Sequence, residues 1–267
     1  MHNYIALSRE AHATKYWRPA TDYLYAAREA VVPIVADELP KACVSMPLAF
    51  MSQAEHFIPV AILGFAEKQN LFVAPDGRWL GKYIPAALRG YPFRLANTPE
   101  GQQVLCVDID SSLLTDGPQG QPIFDEDGKP AAGVGKIMDF LTAIEANRVL
   151  AASACDILQA HQLIVPWVIN IQSDTGQQKI EGLYKIDEGA LNALSSEDFA
   201  GLRQNGALIV CYCQMLSMQH LQVLGRLTEA HAQVAAQAMA ATNIAASGEL
   251  DLEFMNKGGT ISFGNLG

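Results

Sequence analysis

The sequence predicts an α+β fold: mainly antiparallel sheet with helices packed on it, followed by a helical C-terminal part. Between residues 45 and 109, short β-like runs are joined too closely for the helical crossovers that parallel strands need. From about residue 134 onward, long stretches carry apolar residues at helical spacing. Half of the 267 residues are apolar and 17% are charged, so the chain is globular rather than disordered.

The first predicted elements are helices, and strands follow them. Asp22 suits the N-cap of a helix over Tyr23–Ala30. Pro33 suits the first turn of a second helix that ends near Pro40. Pro75-Asp76-Gly77 predicts a hairpin turn, because Pro fixes φ and Gly accepts a positive φ. The β-like runs are Ser45–Phe50, Ile58–Gly64, Leu71–Ala74, Trp79–Ile84, Phe93–Ala96 and Val104–Ile109.

The second half of the chain is predicted to alternate between helices and one hairpin. Apolar spacing indicates the helices, and turn-forming residues between two apolar runs indicate the hairpin. The predicted elements are a helix over Val134–Ala160, a hairpin of Leu163–Ile171 and Gln178–Ile186, two helices capped by Asp187 and Ser195, and a long apolar helix over Leu208–Glu229.

The segment from Gln204 to Gly225 carries no charged residue and is long enough to cross a bilayer. Gln214, Ser217 and other polar residues lie within it, and each is costly in hydrocarbon without a partner. We therefore predict a buried helix and no membrane span. The N-terminus gathers no apolar run of the kind a secretory signal needs, so we expect a cytoplasmic protein.

We predict two parts: a domain over residues 1–229 and an Ala-rich helical extension over residues 230–267. The extension carries no charge between Glu229 and Glu249, and it ends in predicted short strands between Leu250 and Phe263. Such a helix either packs on the main domain or pairs with its own copy in a homodimer. We favour internal packing because it needs no second chain.

Composition and motifs exclude several classes of function. The 18 Lys and Arg against 28 Asp and Glu give a net charge of −10, which disfavours nucleic acid as a partner. The five cysteines are odd in number and widely spaced, so we predict small buried side chains rather than disulfides or a metal centre. No histidine pair has metal-ligand spacing, and no nucleophile elbow occurs. We predict no metal site and no cofactor.

An acidic pair follows one predicted strand. Asp108 and Asp110 stand two residues apart, so both side chains would point to the same face of a strand. Such a pair could share a divalent ion or, together with Glu38, serve as general acid and base. We favour a solvated pair at a strand end, because no phosphate-binding glycine loop or catalytic lysine stands near.

Arginines and aromatic residues crowd between positions 78 and 94, which we call the aromatic–arginine segment. Arginine beside an aromatic ring can stack on it, bind a carboxylate through two hydrogen bonds and anchor a partner. Alternatively, the rings belong to the core, and the arginines cover their edges and pair with acidic residues. The predicted ligand- or partner-binding residues are Glu38, Arg78, Trp79, Tyr83, Arg89, Tyr91, Arg94 and Asp108.

Four motifs follow one another in this part of the chain: Asn70-Leu71-Phe72-Val73, Asp76-Gly77-Arg78-Trp79, Tyr83-Ile84-Pro85-Ala86 and Arg89-Gly90-Tyr91-Pro92-Phe93. Further motifs stand on both sides in matching order. Together they resemble the signature of the bacterial SapC family over about residues 25–227. The resemblance leaves the Ala-rich tail outside and implies no catalytic residues. It implies an accessory or binding role, because members are often encoded near TonB-dependent receptors, flavin-dependent tryptophan halogenases and cupin-like proteins.

Three hypotheses follow. The first is a non-enzymatic, cytoplasmic binding or accessory protein that takes a peptide, protein or small ligand at the aromatic–arginine segment. The second is an enzyme that uses Glu38, Asp108 and Asp110 as acid, base or metal ligands. The third is a surface-layer or export-associated component, which the family's name suggests. We favour the first, because no catalytic set in the sequence is complete.

Overall fold

The computed structural model describes residues 2–98, 101–173 and 176–247, with side chains described except at 172–178 and 240–247. The chain divides into two units, residues 1–224 and 225–267. The predicted domain boundary near residue 229 stays a prediction. The short strands predicted between Leu250 and Phe263 lie outside the described residues.

The strands of the described residues form three sheets in which every pairing is antiparallel, as the sequence predicts. The strands are β1 (Tyr4–Ala6), β2 (Tyr16–Trp17), β3 (Val31–Pro33), β4 (Leu48–Gln53), β5 (His56–Ile62), β6 (Phe93–Asn97), β7 (Gln103–Asp108), β8 (Leu114–Thr115), β9 (Gln121–Pro122), β10 (Ile164–Ser173) and β11 (Gly176–Ile186). The large sheet has the order β10-β11-β4-β5-β3, and the two small ones have the orders β1-β7-β6 and β8-β2-β9.

The helices lie mostly in the second half of the chain, which confirms the predicted α+β arrangement with a helical C-terminal part. Asp187 and Ser195 accept hydrogen bonds from the backbone N–H groups of Ala190 and Asp198, and so cap their helices as predicted. The helices are α1 (Arg9–His12), α2 (Leu39–Ala42), α3 (Ala86–Arg89), α4 (Ala132–Ala160), α5 (Glu188–Asn192), α6 (Ser196–Gln204), α7 (Ala207–Ser217) and α8 (Leu221–Ser247), with 3₁₀ turns at Leu24–Ala26, Ala36–Glu38 and Met218–His220.

Of the two helices predicted before residue 40, the first is wrong and the second begins later than predicted, with the 3₁₀ turn Ala36–Glu38 followed by α2. Tyr23–Ala30 contains only the 3₁₀ turn Leu24–Ala26, and Pro33 lies in β3 instead of a helix. β-branched residues favour a strand here, since Val31 and Val32 pair with β5. Proline is tolerated at this position because β3 is an edge strand.

The hairpin predicted around Pro75-Asp76-Gly77 has the predicted turn but lacks the predicted strands. Gly77 takes φ 86°, the positive value that the turn requires. The flanking runs form a single bridge between Val73 and Trp79. Side-chain bonding replaces a regular ladder: the Asn70 Oδ1 accepts from the Phe72 N–H at 3.0 Å. The buried run Leu71–Ala74 is therefore an irregular segment and not a strand.

The long helix α4 organises two parts of the core. It packs against β6, whose small sheet shares a buried cluster with it that includes Trp17, Phe93 and Val134. It also packs against β5 and α7, where Cys155 and Leu158 are fully buried. One long helix thus packs on both the small sheet β1-β7-β6 and the large sheet.

The helical stretch Ala207–Met239 is long and apolar enough, by length and composition alone, to cross a membrane, and 39% of its most apolar window is buried. Two of the polar residues that led us to predict a buried helix, Gln214 and Ser217, are bonded to the large sheet. The Gln214 amide accepts from the Ile186 N–H at 3.0 Å and donates to the Leu48 carbonyl at 3.2 Å. The Ser217 hydroxyl accepts from the Leu48 N–H at 2.9 Å. The α7 part of the stretch is thus fastened to the sheet.

Candidate functional site

A cleft of about 850 Å³ lies beside the edges of two sheets. One wall is β6, the edge strand of the β1-β7-β6 sheet, and the other includes β3, the edge strand of the large sheet. Helices α3 and α4 contribute further lining residues. Clefts of this volume are the usual sites for small organic ligands and short peptide segments.

Two tyrosines on the cleft wall stack on each other. The ring centroids of Tyr25 and Tyr91 are 4.1 Å apart, and the planes are inclined by 6°. The Tyr25 hydroxyl donates to the Leu88 carbonyl at 2.7 Å. Burial raises the pKa of both phenols, so both stay neutral donors at physiological pH.

The carboxylate of Asp108 lies directly behind this stack and is 2% exposed. Its Oδ2 accepts from the Tyr91 hydroxyl at 3.1 Å and lies 2.7 Å from the His2 Nδ1. Its Oδ1 accepts from the backbone N–H groups of Asn3 at 3.0 Å and Asp110 at 3.3 Å. Burial alone would raise the pKa of Asp108, but these hydrogen bonds outweigh it and hold the pKa below its usual value.

Two arginines line the cleft, and Arg94 lies on the edge strand β6. Its guanidinium lies 4.9 Å from the centre of the Tyr4 ring. Within the described part of the chain, no carboxylate comes within ion-pairing distance of it. By contrast, Arg148 on the same cleft is held by Glu145 through two hydrogen bonds of 2.6 and 2.7 Å. Arg94 is therefore the arginine of the cleft with its fork open to an anion.

A second cluster, around the buried carboxylate of Glu38, lies apart from the cleft lining. Its Oε1 accepts from the Tyr83 hydroxyl at 2.8 Å and the Ala86 N–H at 2.6 Å. Its Oε2 accepts from the Val35 N–H at 3.1 Å. The Arg89 guanidinium is 3.9 Å from the same carboxylate. Glu38 thus joins the segment before α2 to the start of α3.

The remaining residues of the aromatic–arginine segment hold its own turn together. The exposed Arg78 pairs with Asp76, with 2.6 Å between Nε and Oδ2. The Trp79 ring stacks on Phe72, with centroids 5.4 Å apart, and its indole N–H donates to the Tyr83 carbonyl at 2.8 Å. Arg78 and Trp79 therefore stabilise the turn in which they lie.

The predicted binding residues therefore fall into three groups. Tyr91 and Arg94 line the cleft, and Asp108 supports Tyr91 from behind. A second group joins Glu38, Tyr83 and Arg89, and a third holds Arg78 and Trp79 in their own turn; neither of these two groups lines the cleft. Asp110 touches the Asp108 carboxylate only through its backbone N–H.

The sequence did not point to three residues of the cleft: His2, Tyr4 and Tyr25. His2 and Tyr4 belong to the segment around β1, which pairs with β7. No local spacing signals such a pairing, because it joins residues more than a hundred positions apart. The signal that does exist is compositional: four tyrosines, at positions 4, 16, 23 and 25, are frequent for so short a stretch.

Among the described residues, no group of three or more His, Cys, Asp or Glu residues is placed to hold a metal ion. All five cysteines are buried as free thiols, and burial raises the pKa of Cys155 and Cys211 to about 12. The cleft is lined by tyrosines, by the open guanidinium of Arg94 and by apolar side chains from α4. Its two carboxylates each have a cationic neighbour: Glu29 lies 3.9 Å from the His2 imidazole, and Glu145 pairs with Arg148.

The fold and the geometry of the described residues thus define an α+β domain that has a ligand-sized cleft beside two sheet edges. The family model of SapC matches residues 7–224 of the chain, and the chain belongs to the SapC family. No curated protein and no solved structure shows significant similarity to it.

Proposed function

We propose that this SapC-family chain is a non-enzymatic binding or accessory protein, and that its ligand is a peptide or small molecule bearing a carboxylate. The ligand occupies the cleft beside Tyr91 and Arg94. The observation that carries the proposal is the guanidinium of Arg94, which lines the cleft over the Tyr4 ring while no carboxylate among the described residues pairs with it.

The chemistry of the lining supports a carboxylate. An arginine fork binds a carboxylate through two parallel hydrogen bonds, and these are about twice as strong as neutral ones. Apolar residues of α4, among them Leu141 and Ile144, lie on the same cleft and suit the apolar body of such a ligand. In a chain with net charge −10, the Arg94 guanidinium is a local positive charge that attracts a carboxylate, whereas the acidic surface around it repels anions.

The walls of the cleft are fixed before any ligand arrives. Tyr91 is held on one side by the Tyr25 ring and at its hydroxyl by Asp108. Asp108 is fixed in turn by the backbone of Asn3. Side chains that are already ordered lose little conformational entropy on binding, and a site of this kind binds more tightly than its contact area alone suggests.

Capture from the native cell tests the proposal. Immobilised wild-type protein, Arg94→Ala and Arg78→Ala are exposed to the same extract, and bound proteins and small molecules are quantified by mass spectrometry. Arg78 is the matched control because it is exposed and already paired with Asp76 away from the cleft. We expect a ligand that wild type and Arg78→Ala retain equally and that binds Arg94→Ala about 10- to 150-fold more weakly, since a charged hydrogen bond contributes about 1.5–3 kcal/mol.

The opposite pattern would overturn the proposal. If Arg78→Ala loses the captured ligand and Arg94→Ala keeps it, binding takes place at the outer turn of the aromatic–arginine segment and not in the cleft. If all three proteins capture the same molecules in equal amounts, Arg94 contributes no binding energy and the cleft site is refuted.

A second function is favoured by one observation. The His2 imidazole lines the cleft with its Nδ1 2.7 Å from the Asp108 Oδ2, and a carboxylate that orients an imidazole is a common arrangement for a general base. The acid–base alternative thus moves from Glu38 and Asp110 to His2. Incubating the captured ligand with the protein and searching for a product tests it. Turnover that His2→Gln abolishes supports an enzyme, whereas an unchanged ligand supports binding alone.

A further inference from the structure

The cleft has an uncommon position in this fold, because the edges of two sheets meet at it. Among the described residues, β6 pairs only with β7 and β3 pairs only with β5, so each strand leaves one side without a neighbouring strand there. An edge strand presents a row of backbone N–H and C=O groups that can pair with another chain. Here two such edges border the same open volume.

The lining shows that the cleft runs along the β6 edge itself. Side chains of successive strand residues point to opposite faces of a sheet, so a cleft over one face would be lined by alternate residues only. All five residues of β6, Phe93–Asn97, line this one. Tyr4 and Arg94 border it on one face of the sheet, and Leu141 of α4 borders it on the other. The cleft therefore lies along the outer edge of β6 and not over one face of the sheet.

The ladder between β6 and β7 identifies the backbone groups that face the cleft. The Asp108 N–H donates to the Pro92 carbonyl at 2.9 Å, and the Thr98 N–H donates to the Gln102 carbonyl at 2.8 Å. In an antiparallel pair, alternate residues direct both backbone groups at the partner strand. The even-numbered residues of β6 thus bond to β7, and the N–H and C=O groups of Leu95 and Asn97 point away from it.

The edge of β3 is less suited than that of β6 to pair with an added strand. Its Val32 is opposite Ala61 of β5, while its Pro33 has no N–H to donate and is exposed. Proline on an edge strand disfavours the addition of another strand. β6 has no proline within Phe93–Asn97 and carries the open arginine.

We propose that the cleft binds an extended segment of a partner protein, which adds to β6 as a further strand and places an acidic side chain at Arg94. The proposal rests on the proposed binding function and names its ligand class. The backbone of the segment pairs with Leu95 and Asn97. Because side chains alternate, residues level with Leu95 face the apolar surface of α4, and residues level with Arg94 face its guanidinium. The segment therefore alternates apolar and acidic residues.

One substitution separates a backbone contact from a side-chain contact. Asn97→Pro removes the outward N–H and leaves the ladder to β7 intact, because the Asn97 N–H does not bond to β7. Asn97→Ala is the matched control, since it removes the same side chain and keeps the N–H. Thermal unfolding of both variants establishes that the fold is retained.

The probe is a library of random octapeptides displayed on phage and selected against the immobilised full chain. Selected peptides are then synthesised, each with a scrambled version of the same composition. We expect enriched sequences to alternate apolar and acidic residues and to bind wild type better than their scrambled versions. Asn97→Pro weakens their binding two- to tenfold, the range for one neutral hydrogen bond, and Asn97→Ala leaves it unchanged. Arg94→Ala weakens it about tenfold.

A second measurement keeps the proposal testable if Asn97→Pro does not fold. Amide hydrogen exchange of wild type with and without a selected peptide should show new protection at Leu95 and Asn97, and unchanged exchange at Ala96, which already bonds to β7. Peptides that bind without protecting Leu95 and Asn97 overturn strand addition.

The two proposals fail in different ways. If no octapeptide is enriched over its scrambled version, while small aromatic carboxylates bind wild type and not Arg94→Ala, strand addition is refuted and the binding function stands. If neither class of probe distinguishes wild type from Arg94→Ala, both are refuted.

Discussion

The rings of Tyr25 and Tyr91 lie parallel, with centroids 4.1 Å apart, although one precedes β3 of the large sheet and the other precedes β6 of a small one. The stack joins the two edge strands that border the cleft. Tyr91 is also held by Asp108, whose carboxylate accepts a hydrogen bond from the Tyr91 hydroxyl. The shape of the cleft thus depends on contacts between residues far apart in sequence.

Substitutions at Tyr25 should separate the stack from the hydroxyl. We expect Tyr25→Ala to lower the free energy of unfolding by about 2–3 kcal/mol, less than at a fully buried position because Tyr25 is half-buried. Tyr25→Phe keeps the ring and loses only the bond to the Leu88 carbonyl, so its cost should be about 1 kcal/mol. Urea unfolding monitored by circular dichroism measures both values. Equal costs for the two variants would show that the stack contributes nothing.

Asp108 should make the stability depend on pH in a defined direction. Its folded pKa lies below the ordinary 3.8, so the ionised form is favoured in the folded state. The stabilisation is fully present above the unfolded pKa and is lost as the pH falls through the folded pKa. We expect Asp108→Asn to unfold more easily than wild type by about 1–3 kcal/mol at pH 7. The difference should shrink as the pH falls below about 4, where Asp108 of the unfolded chain takes up a proton, and it is lost once the pH passes the lower folded pKa.

Melting temperatures of wild type and Asp108→Asn from pH 7 down to pH 3 check this expectation. Asp110→Asn is the matched control, because the Asp110 side chain is exposed and only its backbone N–H reaches Asp108. A difference between Asp108→Asn and wild type that stays constant over the whole range would contradict a lowered pKa.

Glu38 should matter for stability more than for binding. Glu38→Ala leaves the buried Ala86 and Val35 N–H groups without their acceptor, and each such group costs about 1–3 kcal/mol. Glu38→Gln keeps one acceptor oxygen and should cost less. The neighbouring exposed Asp37→Ala should cost under 0.5 kcal/mol, as is usual for surface changes. Chemical denaturation ranks the three. A Glu38→Ala variant as stable as Asp37→Ala would show that the bonds of Glu38 are weak.

Gln214 offers a test of how α7 is held. Gln214→Leu makes the helix more apolar but removes the partners of the Ile186 N–H and the Leu48 carbonyl. We expect it to destabilise the fold by about 2–4 kcal/mol, from two buried groups left unpaired. Gln219→Leu is the control because Gln219 is exposed. If thermal unfolding finds Gln214→Leu as stable as Gln219→Leu, the bonds to the sheet do not hold the helix.

Local patterns were sufficient for some elements and insufficient for others. The helix α4 and the hairpin β10–β11 follow from apolar spacing and turn residues, which are read within one window of sequence. The segment Tyr23–Ala30 carries a helical start signal, yet pairing of the next residues with β5 overrides it. Tertiary contacts decide such short segments, because a helix of two turns has little stability of its own.

The candidate site, too, could be predicted only in part from local sequence patterns. The arginines and aromatic rings between positions 78 and 94 are visible in the sequence, but not which of them face open volume. The sequence does not distinguish Arg78 from Arg94. In the fold, Arg78 pairs with Asp76, whereas Arg94 lies on the cleft. The contact of His2 with Asp108 spans 106 positions, so no local pattern contains it.

A crystallographic fragment screen tests the central claim, that the cleft at Tyr91 and Arg94 is a binding site. Crystals of the full chain are soaked with fragments that carry a carboxylate and with neutral analogues of the same shape. We expect the carboxylates to bind in the cleft with their oxygens on the Arg94 guanidinium and their apolar parts toward Leu141, and the neutral analogues to bind there less often. Carboxylates that bind elsewhere and leave the cleft empty would contradict the account.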